Sequence, residues 1–435
     1  MIKRPKEAAY RLLRRSEKYT RTDMVYLAQG GFWQTFGQVG TALLSFALVL
    51  AFANLLPKET YGTYKYILSL AAIFNIFILT GMNQAVSQAV ATGFEGALRA
   101  SIKYQLRWNS FATLAFWIAA GYYLYNGNAQ LGLSLFILGL FWPLTATFNT
   151  YSAYLAGKKE FRLNNLFSLL ATAVYVAGTV LAIYMSGEVI WLIAAYAITT
   201  FAANLLLYWL TLRRFRPPAT EAEGALRYGR HLTFINLTTT VVSQLDSVIL
   251  HHFWGPAQLA TYSIAMAIPN RAIPFFKSSI EVGFPKLATK TPHEINQVFY
   301  RRIAYGLGAG VIVAALYILA APYLFLYLLP QYLDAVLYTQ ILATGFVFAI
   351  PNRYLGLLFA AQKMSRAIFA ATLAQNVIRV ALYLILGVWL GILGLVIAQA
   401  ISSFVSMILN IGCWRLRKIP PLDAGSPTNA DRLIR

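Results

Sequence analysis

The chain has 435 residues, 58% of them hydrophobic and only 12% charged, with a formal net charge of +21. Ordinary soluble domains are about 45–50% apolar and about 25% charged, so a soluble globular chain is excluded. The apolar residues come in separate runs of roughly 20, the length that crosses the hydrocarbon layer of a bilayer, and the fold class they define is an all-α polytopic membrane protein.

Residues 1–30 are a basic lead containing "RLLRRSEKYTR". It lacks the apolar core and small-residue cleavage site of a secretory signal, and no cleaved signal is expected. Arg11, Arg14, Arg15 and Lys18 alternate with Leu12, Leu13 and Tyr19, a pattern open to two readings: a helix lying on an anionic membrane face, or a disordered tail. Apolar runs then predict spans near 31–52, 65–88, 109–125, 130–153, 165–185 and 189–210. The connection "TLRRFRPPATEAEGALRYGR" at 211–230 has the composition of a linker. Six further spans are predicted near 232–253, 258–283, 303–328, 337–360, 367–387 and 391–411. The divisions expected are a basic N-terminus (1–30), an N-lobe (31–210), a linker (211–231), a C-lobe (232–411) and a cytoplasmic tail (412–435).

Charge orients this map. Of the 36 Lys and Arg, 30 fall on the termini and even-numbered loops, and only Lys58 and Lys65 on the odd-numbered side. By the positive-inside rule both termini face the cytoplasm. The same rule accounts for the net charge without a nucleic-acid partner. Cys413 is the sole cysteine, so an internal disulfide or cysteine cluster is excluded. His231, His251, His252 and His293 offer no metal pattern, and "HEINQ" at 293–297 lacks the second His of a zinc-protease helix. No metal or cofactor is expected.

The two sides of the linker repeat weakly. Thr63 and Tyr64 match Thr261 and Tyr262 at an offset of 198, Gly30 matches Gly229 at 199, Tyr151 matches Tyr354 at 203, and Lys159 and Arg162 match Lys363 and Arg366 at 204. Two copies of one six-helix bundle are predicted, parallel because six is even; in transporters such copies rock about a shared substrate path. The stretches "GGFWQTFGQ", "LLPKETYGTYKYILSL" and "TGMNQAVSQAVA", with the second copy of the turn in "HHFWGPAQLATYSIAMAI", resemble the polysaccharide-transport flippases of the multidrug, oligosaccharidyl-lipid and polysaccharide exporter superfamily. The resemblance covers roughly residues 26–417 and is diffuse. It implies a protein of the bacterial inner membrane that flips a polyprenyl-diphosphate-linked oligosaccharide, in contact with membrane lipids and other polysaccharide-assembly proteins.

Six charged residues fall inside predicted spans: Asp246, Arg271, Lys277, Glu281, Arg353 and Arg379. Such groups cost at least about 2.5–3.5 kcal/mol at mid-bilayer and face a bundle interior or a water-filled cavity. All six lie in the second half. Their first-half counterparts are Ala47 or Leu48, Ile73, Leu79, Asn83, Thr150 and Tyr175, none charged, so the bundle does not need the charges in order to fold. Arg presents paired donors suited to phosphate; Arg271, Arg353 and Arg379, with Lys277, are candidate contacts for a diphosphate. Lys277 and Glu281 are also spaced to pair across one helix turn. Pro269 and Pro274 are expected to disturb the helix around Arg271. Asp246 is a candidate for coupling to Na⁺, H⁺ or the membrane potential, or else an ion-pair partner of Arg271 or Arg379. Gln34, Gln38, Asn75, Asn83 and Gln84, together with Gln88, Asn149 and Asn204, are candidate contacts for sugar hydroxyls, or interhelical hydrogen bonds. The glycine pairs Gly306/Gly310 and Gly387/Gly391 have the spacing of close helix packing.

A multidrug and toxin extrusion antiporter shares this architecture, but a pocket for cations calls for excess acid. A membrane glycosyltransferase or ligase calls for acids or histidines on longer outer loops, where this chain offers Glu59, Glu188, Asp334 and the His251–His252 pair. A flippase, which makes and breaks no bond, is the reading that fits the charge pattern.

Overall fold

In the computed structural model, residues 24–218, 223–281, 292–362 and 364–416 are described, and no strand occurs among them. Residues 1–23 of the basic lead, the tail from residue 417 and Lys363 lie outside the described residues, as do the side chains of Lys277, Glu281 and Arg366. Among the described residues, seven helices are long and apolar enough to cross a membrane, or eight if a bent pair counts as one span. The chain is a multi-pass helical membrane protein.

The first half begins with α1 (Met24–Leu55) and α2 (Lys58–Ile73). After α2 the chain tightens into a 3₁₀ turn at Phe74–Phe77, and Ile78 is extended before α3 (Met82–Ala91). The expected single span 65–88 is therefore two pieces bent by 59°. Hydropathy does not register the break, because both pieces are equally apolar. Its cause is tertiary: Gly81 N–H donates to Thr233 Oγ1 at 3.0 Å, and a Cβ on Gly81 would lie 2.5 Å from Thr233 N. The buried Asn109 amide supports the bend, accepting from Leu79 N–H and donating to Thr147 Oγ1 at 2.9 Å.

α4 (Ala97–Trp108), α5 (Ser110–Tyr125), α6 (Ala129–Phe148), α7 (Thr150–Gly157), α8 (Phe161–Met185) and α9 (Val189–Phe215) complete this half. Between α3 and α4, Glu95 accepts from Lys158 Nζ at 2.7 Å and Tyr154 OH at 2.8 Å. These two donors hold its carboxyl below the usual glutamate range.

The second half comprises α10 (Glu223–Val242), α11 (Leu245–Trp254), α12 (Pro256–Glu281), α13 (Pro292–Leu328), a 3₁₀ turn at Pro330–Ala335, α14 (Val336–Ala343), α15 (Gly345–Ala361), α16 (Ser365–Leu382), a π turn at Tyr383–Gly387 and α17 (Val388–Arg415). Contrary to expectation, α12 runs without interruption through Pro269 and Pro274. Each proline removes one backbone donor, and the helix continues on its remaining bonds.

The two glycine pairs differ. A Cβ on Gly310 would meet the Val347 backbone at 2.6 Å, so α13 packs closely on α15 there, as the spacing predicted. Gly391 instead has φ +59° and breaks the helix, with the Trp254 ring against its Cα. That pair is a chain reversal, because the left-handed backbone at Gly391 takes it out of any continuous helix face.

By packing, the chain forms two compact units. One comprises the residues up to Ile268 with Pro322–Tyr338 and Tyr383–Leu395; the other comprises Pro269–Ala321, Thr339–Leu382 and the residues from Val396 onward. In the first, Tyr151, Tyr154, Leu98 and Met82 form a buried cluster. In the second, Phe299, Phe359 and Trp414 stack around Leu355 and Leu358.

Candidate substrate-binding chamber

Polar residues recur at helical spacing on three consecutive stretches of the first half: Trp142, Thr145, Asn149 and Ser152; Ser168, Thr172 and Tyr175; Tyr196, Thr200 and Asn204. Residues three and four apart share a helix face. In the structure all three stripes line one cavity of about 430 Å³, together with Asn75, Thr80 and Asn83 of the α2–α3 bend. Among the described residues, no charged one lines it.

The wall offers fixed donors and acceptors. Trp142 Nε1 donates to Asn75 Oδ1 at 2.9 Å. Thr145, Thr172 and Thr200 donate their hydroxyl protons to the carbonyls of Phe141, Ser168 and Tyr196, which leaves their oxygens as acceptors. Asn204 is held by the Thr200 carbonyl and Gln105 by Thr150 Oγ1. Asn83 Oδ1 is shielded from solvent and has no hydrogen-bond partner among the described residues. Tyr175 and Tyr196 pack edge to face with centroids 5.8 Å apart, and Trp142 lies 6.1 Å from Tyr196. Neutral hydroxyls, amides and aromatic faces without charge suit a polyhydroxylated, uncharged group such as a sugar ring.

The expected amides separate. Asn75 and Asn83 line this chamber together with Asn149 and Asn204. Gln34 and Gln84 are exposed, Gln38 is half-buried on α1, and none of the three lines it. Reading polarity alone could not distinguish them, since the helix face decides. Trp142, Thr145, Thr200, Tyr175 and Tyr196 were missed as contacts, although the three stripes carried the signal.

Arg271, Arg353 and Arg379 lie half-buried on α12, α15 and α16. The Arg379 Nε is shielded from solvent without a hydrogen-bond partner among the described residues. Asp246 on α11 is buried, 7% exposed, and accepts from Tyr262 OH at 2.7 Å and from Ser247 N–H at 2.6 Å. The sequence offsets pair some of these positions with residues of the chamber. Of the first-half counterparts, Leu79 (for Lys277), Asn83 (for Glu281) and Tyr175 (for Arg379) line the chamber. Thr150, the counterpart of Arg353, accepts from the chamber's Gln105 at 3.0 Å.

The chain is thus a multi-pass helical bundle with a polar chamber within its first half. The profile of the family described as "Polysaccharide biosynthesis protein" matches residues 27–289, and the chain belongs to that family. Among solved structures it is similar to an inward-facing multidrug resistance MATE family transporter of the MOP superfamily, at 15% identity and TM-score 0.67, covering 87% of this chain and 94% of that one. The outward-facing conformation of a MATE transporter matches at 15% identity and TM-score 0.62, covering 89% and 95%. The lipid II flippase MurJ in an inward closed conformation matches at 13% identity and TM-score 0.62, covering 89% and 87%. No curated protein sequence matches the chain.

Proposed function

We propose that this protein is a flippase that moves polyprenyl-diphosphate-linked oligosaccharide from the cytoplasmic to the outer leaflet of the bacterial inner membrane, by alternating access, for cell-surface polysaccharide biosynthesis. The reading takes the chain as twelve spans in two lobes, 31–210 and 232–411, with both termini cytoplasmic. Its single strongest support is that four of the six second-half charges, Lys277, Glu281, Arg353 and Arg379, occupy repeat positions whose first-half counterparts line or brace a neutral chamber. One fold, used twice, thus offers an uncharged surface for glycan and a cationic one for diphosphate. Arg271, Arg353, Arg379 and Lys277 serve the phosphates; Asn75 and Asn83 serve the sugar; Asp246 serves coupling to an ion or the membrane potential.

Family membership and the resemblance to a lipid II flippase point the same way. The likeness to multidrug transporters supports a second reading, a drug antiporter. Among the described residues the chamber lining carries no carboxylate, which weighs against it, because a cationic drug would find no counter-charge there. The test is reconstitution into liposomes containing lipid-linked oligosaccharide, with glycan exposure on the far leaflet measured by capture at that surface. Protein-dependent exposure is expected. Drug efflux without it would overturn the reading.

A further inference from the structure

The two copies of the repeated turn meet each other. Pro256, at the start of α12, brings its carbonyl so close to Gly62 of α2 that any Cβ at position 62 would collide with it. Beside this contact Lys58 Nζ lies 3.1 Å from Asp334 Oδ1 and 3.0 Å from Oδ2. Thr261, on the second copy of the turn, donates its hydroxyl to the same carboxylate at 3.3 Å. The Lys58 ammonium also sits 4.8 Å from the ring of Tyr332, which is fully buried. Asn54 closes the far side, donating to the Leu328 carbonyl at 3.1 Å and accepting from Gln331 at 3.3 Å.

These contacts join α1 and α2 of the first half to α12 and the 328–334 stretch of the second. All lie at the odd-numbered loops. Lysine is disfavoured on the outer side of a membrane protein, and Lys58 is one of only two Lys or Arg residues there. The ion pair is partly solvated, its side chains 29% and 54% exposed. Pairs this exposed add little to stability, so this one is too weak to be a permanent fastening and suited to one that opens and closes.

We infer that the Lys58–Asp334–Thr261 cluster, with the Gly62–Pro256 contact, is the reversible latch of the extracytoplasmic gate. Closed, it seals the outer end of the transport path between the repeat-related turns; release of the carboxylate lets those turns part. The inference rests on the alternating-access reading for its purpose, and its test needs no substrate.

Ser69 lies two turns from Gly62 on the same face of α2 and is 6% exposed. In full-length protein carrying Cys413→Ser and the reporter Ser69→Cys, a membrane-impermeant maleimide is applied to right-side-out and to inverted vesicles. Slow labelling is expected from both sides in this background. Lys58→Asp and Asp334→Lys should each raise the outside rate roughly fivefold or more, the scale of a modest shift in a closed–open equilibrium. The charge-exchanged Lys58→Asp/Asp334→Lys protein should return toward the background rate, which a folding defect would not do. Unchanged rates in the single variants, no recovery in the exchange, or acceleration only in inverted vesicles would overturn the latch. Failure of flipping with this labelling pattern intact would count against the flippase reading alone.

Discussion

The indole Nε1 of Trp142 donates to Asn75 Oδ1 at 2.9 Å, and this bond orients the Asn75 amide. Indole is a donor only, so the Asn75 oxygen faces Trp142 and its two N–H groups remain for a ligand. In the proposed site, Trp142 would thereby act on substrate through Asn75. Asn75→Ala should raise the substrate concentration for half-maximal flipping by roughly 3–10-fold, the worth of one to two hydrogen bonds. Trp142→Phe, which keeps the aromatic face but frees the amide to rotate, should have a smaller effect of the same sign. Concentration dependence of flipping in proteoliposomes checks both.

Arg379 stands where the first half has Tyr175. Because the sequence repeat places a neutral tyrosine at the matching first-half position, Arg379→Tyr should express and melt near the parent. It should also lose at least tenfold in flipping, since a hydrogen bond to a charged group is worth about 1.5–3 kcal/mol. Neutralising Arg271, Arg353 and Arg379 together should abolish flipping. A triple variant that flips at the parental rate would remove these residues from the site.

Glu95 supplies a pH dependence. Held low by Lys158 and Tyr154, its carboxyl binds fewer protons folded than unfolded, so its contribution to stability is present above the unfolded glutamate range near about 4.3. It declines as pH falls through that range and is lost below the folded value. Melting temperature in detergent should therefore fall on acidification more steeply in the parent than in Glu95→Gln. At neutral pH the parent should melt higher. Equal slopes would show that the cluster contributes nothing.

Asn109, 3% exposed, ties the α2–α3 bend to Thr147. Asn109→Leu leaves Leu79 N–H without its acceptor and should cost about 1–3 kcal/mol. Because the bend forms one wall of the chamber, flipping should decline along with stability. Denaturation of the purified variant, paired with the flipping assay, reads both.

Membrane residence and an all-helical chain were legible in the sequence because each rests on composition that persists along the chain. The breaks at Ile78 and Gly391 were hidden, because both lie in runs of unchanged hydropathy and depend on what packs against them: Thr233 in one case, Trp254 in the other. Among the amides, Asn75 and Asn83 were legible as polar residues in apolar spans. So were Gln34, Gln38 and Gln84, which lie elsewhere. The difference is rotational. Tyr196, Thr200 and Asn204 advertise a shared face by their spacing of four, whereas the bend at Gly81 decides which side of α3 faces the chamber.

The central claim is that one repeated bundle carries a lipid-linked glycan through a neutral half and its diphosphate through a cationic half. The most direct measurement is flipping by the parent and by Arg379→Tyr in liposomes bearing lipid-linked oligosaccharide, with an uncharged lipid-linked glycan that lacks phosphate as the comparison substrate. The account predicts protein-dependent flipping of the diphosphate-linked substrate by the parent, and its loss in Arg379→Tyr. It predicts little effect of that substitution on any residual movement of the uncharged lipid. Equal flipping of the diphosphate-linked substrate by both proteins would contradict it.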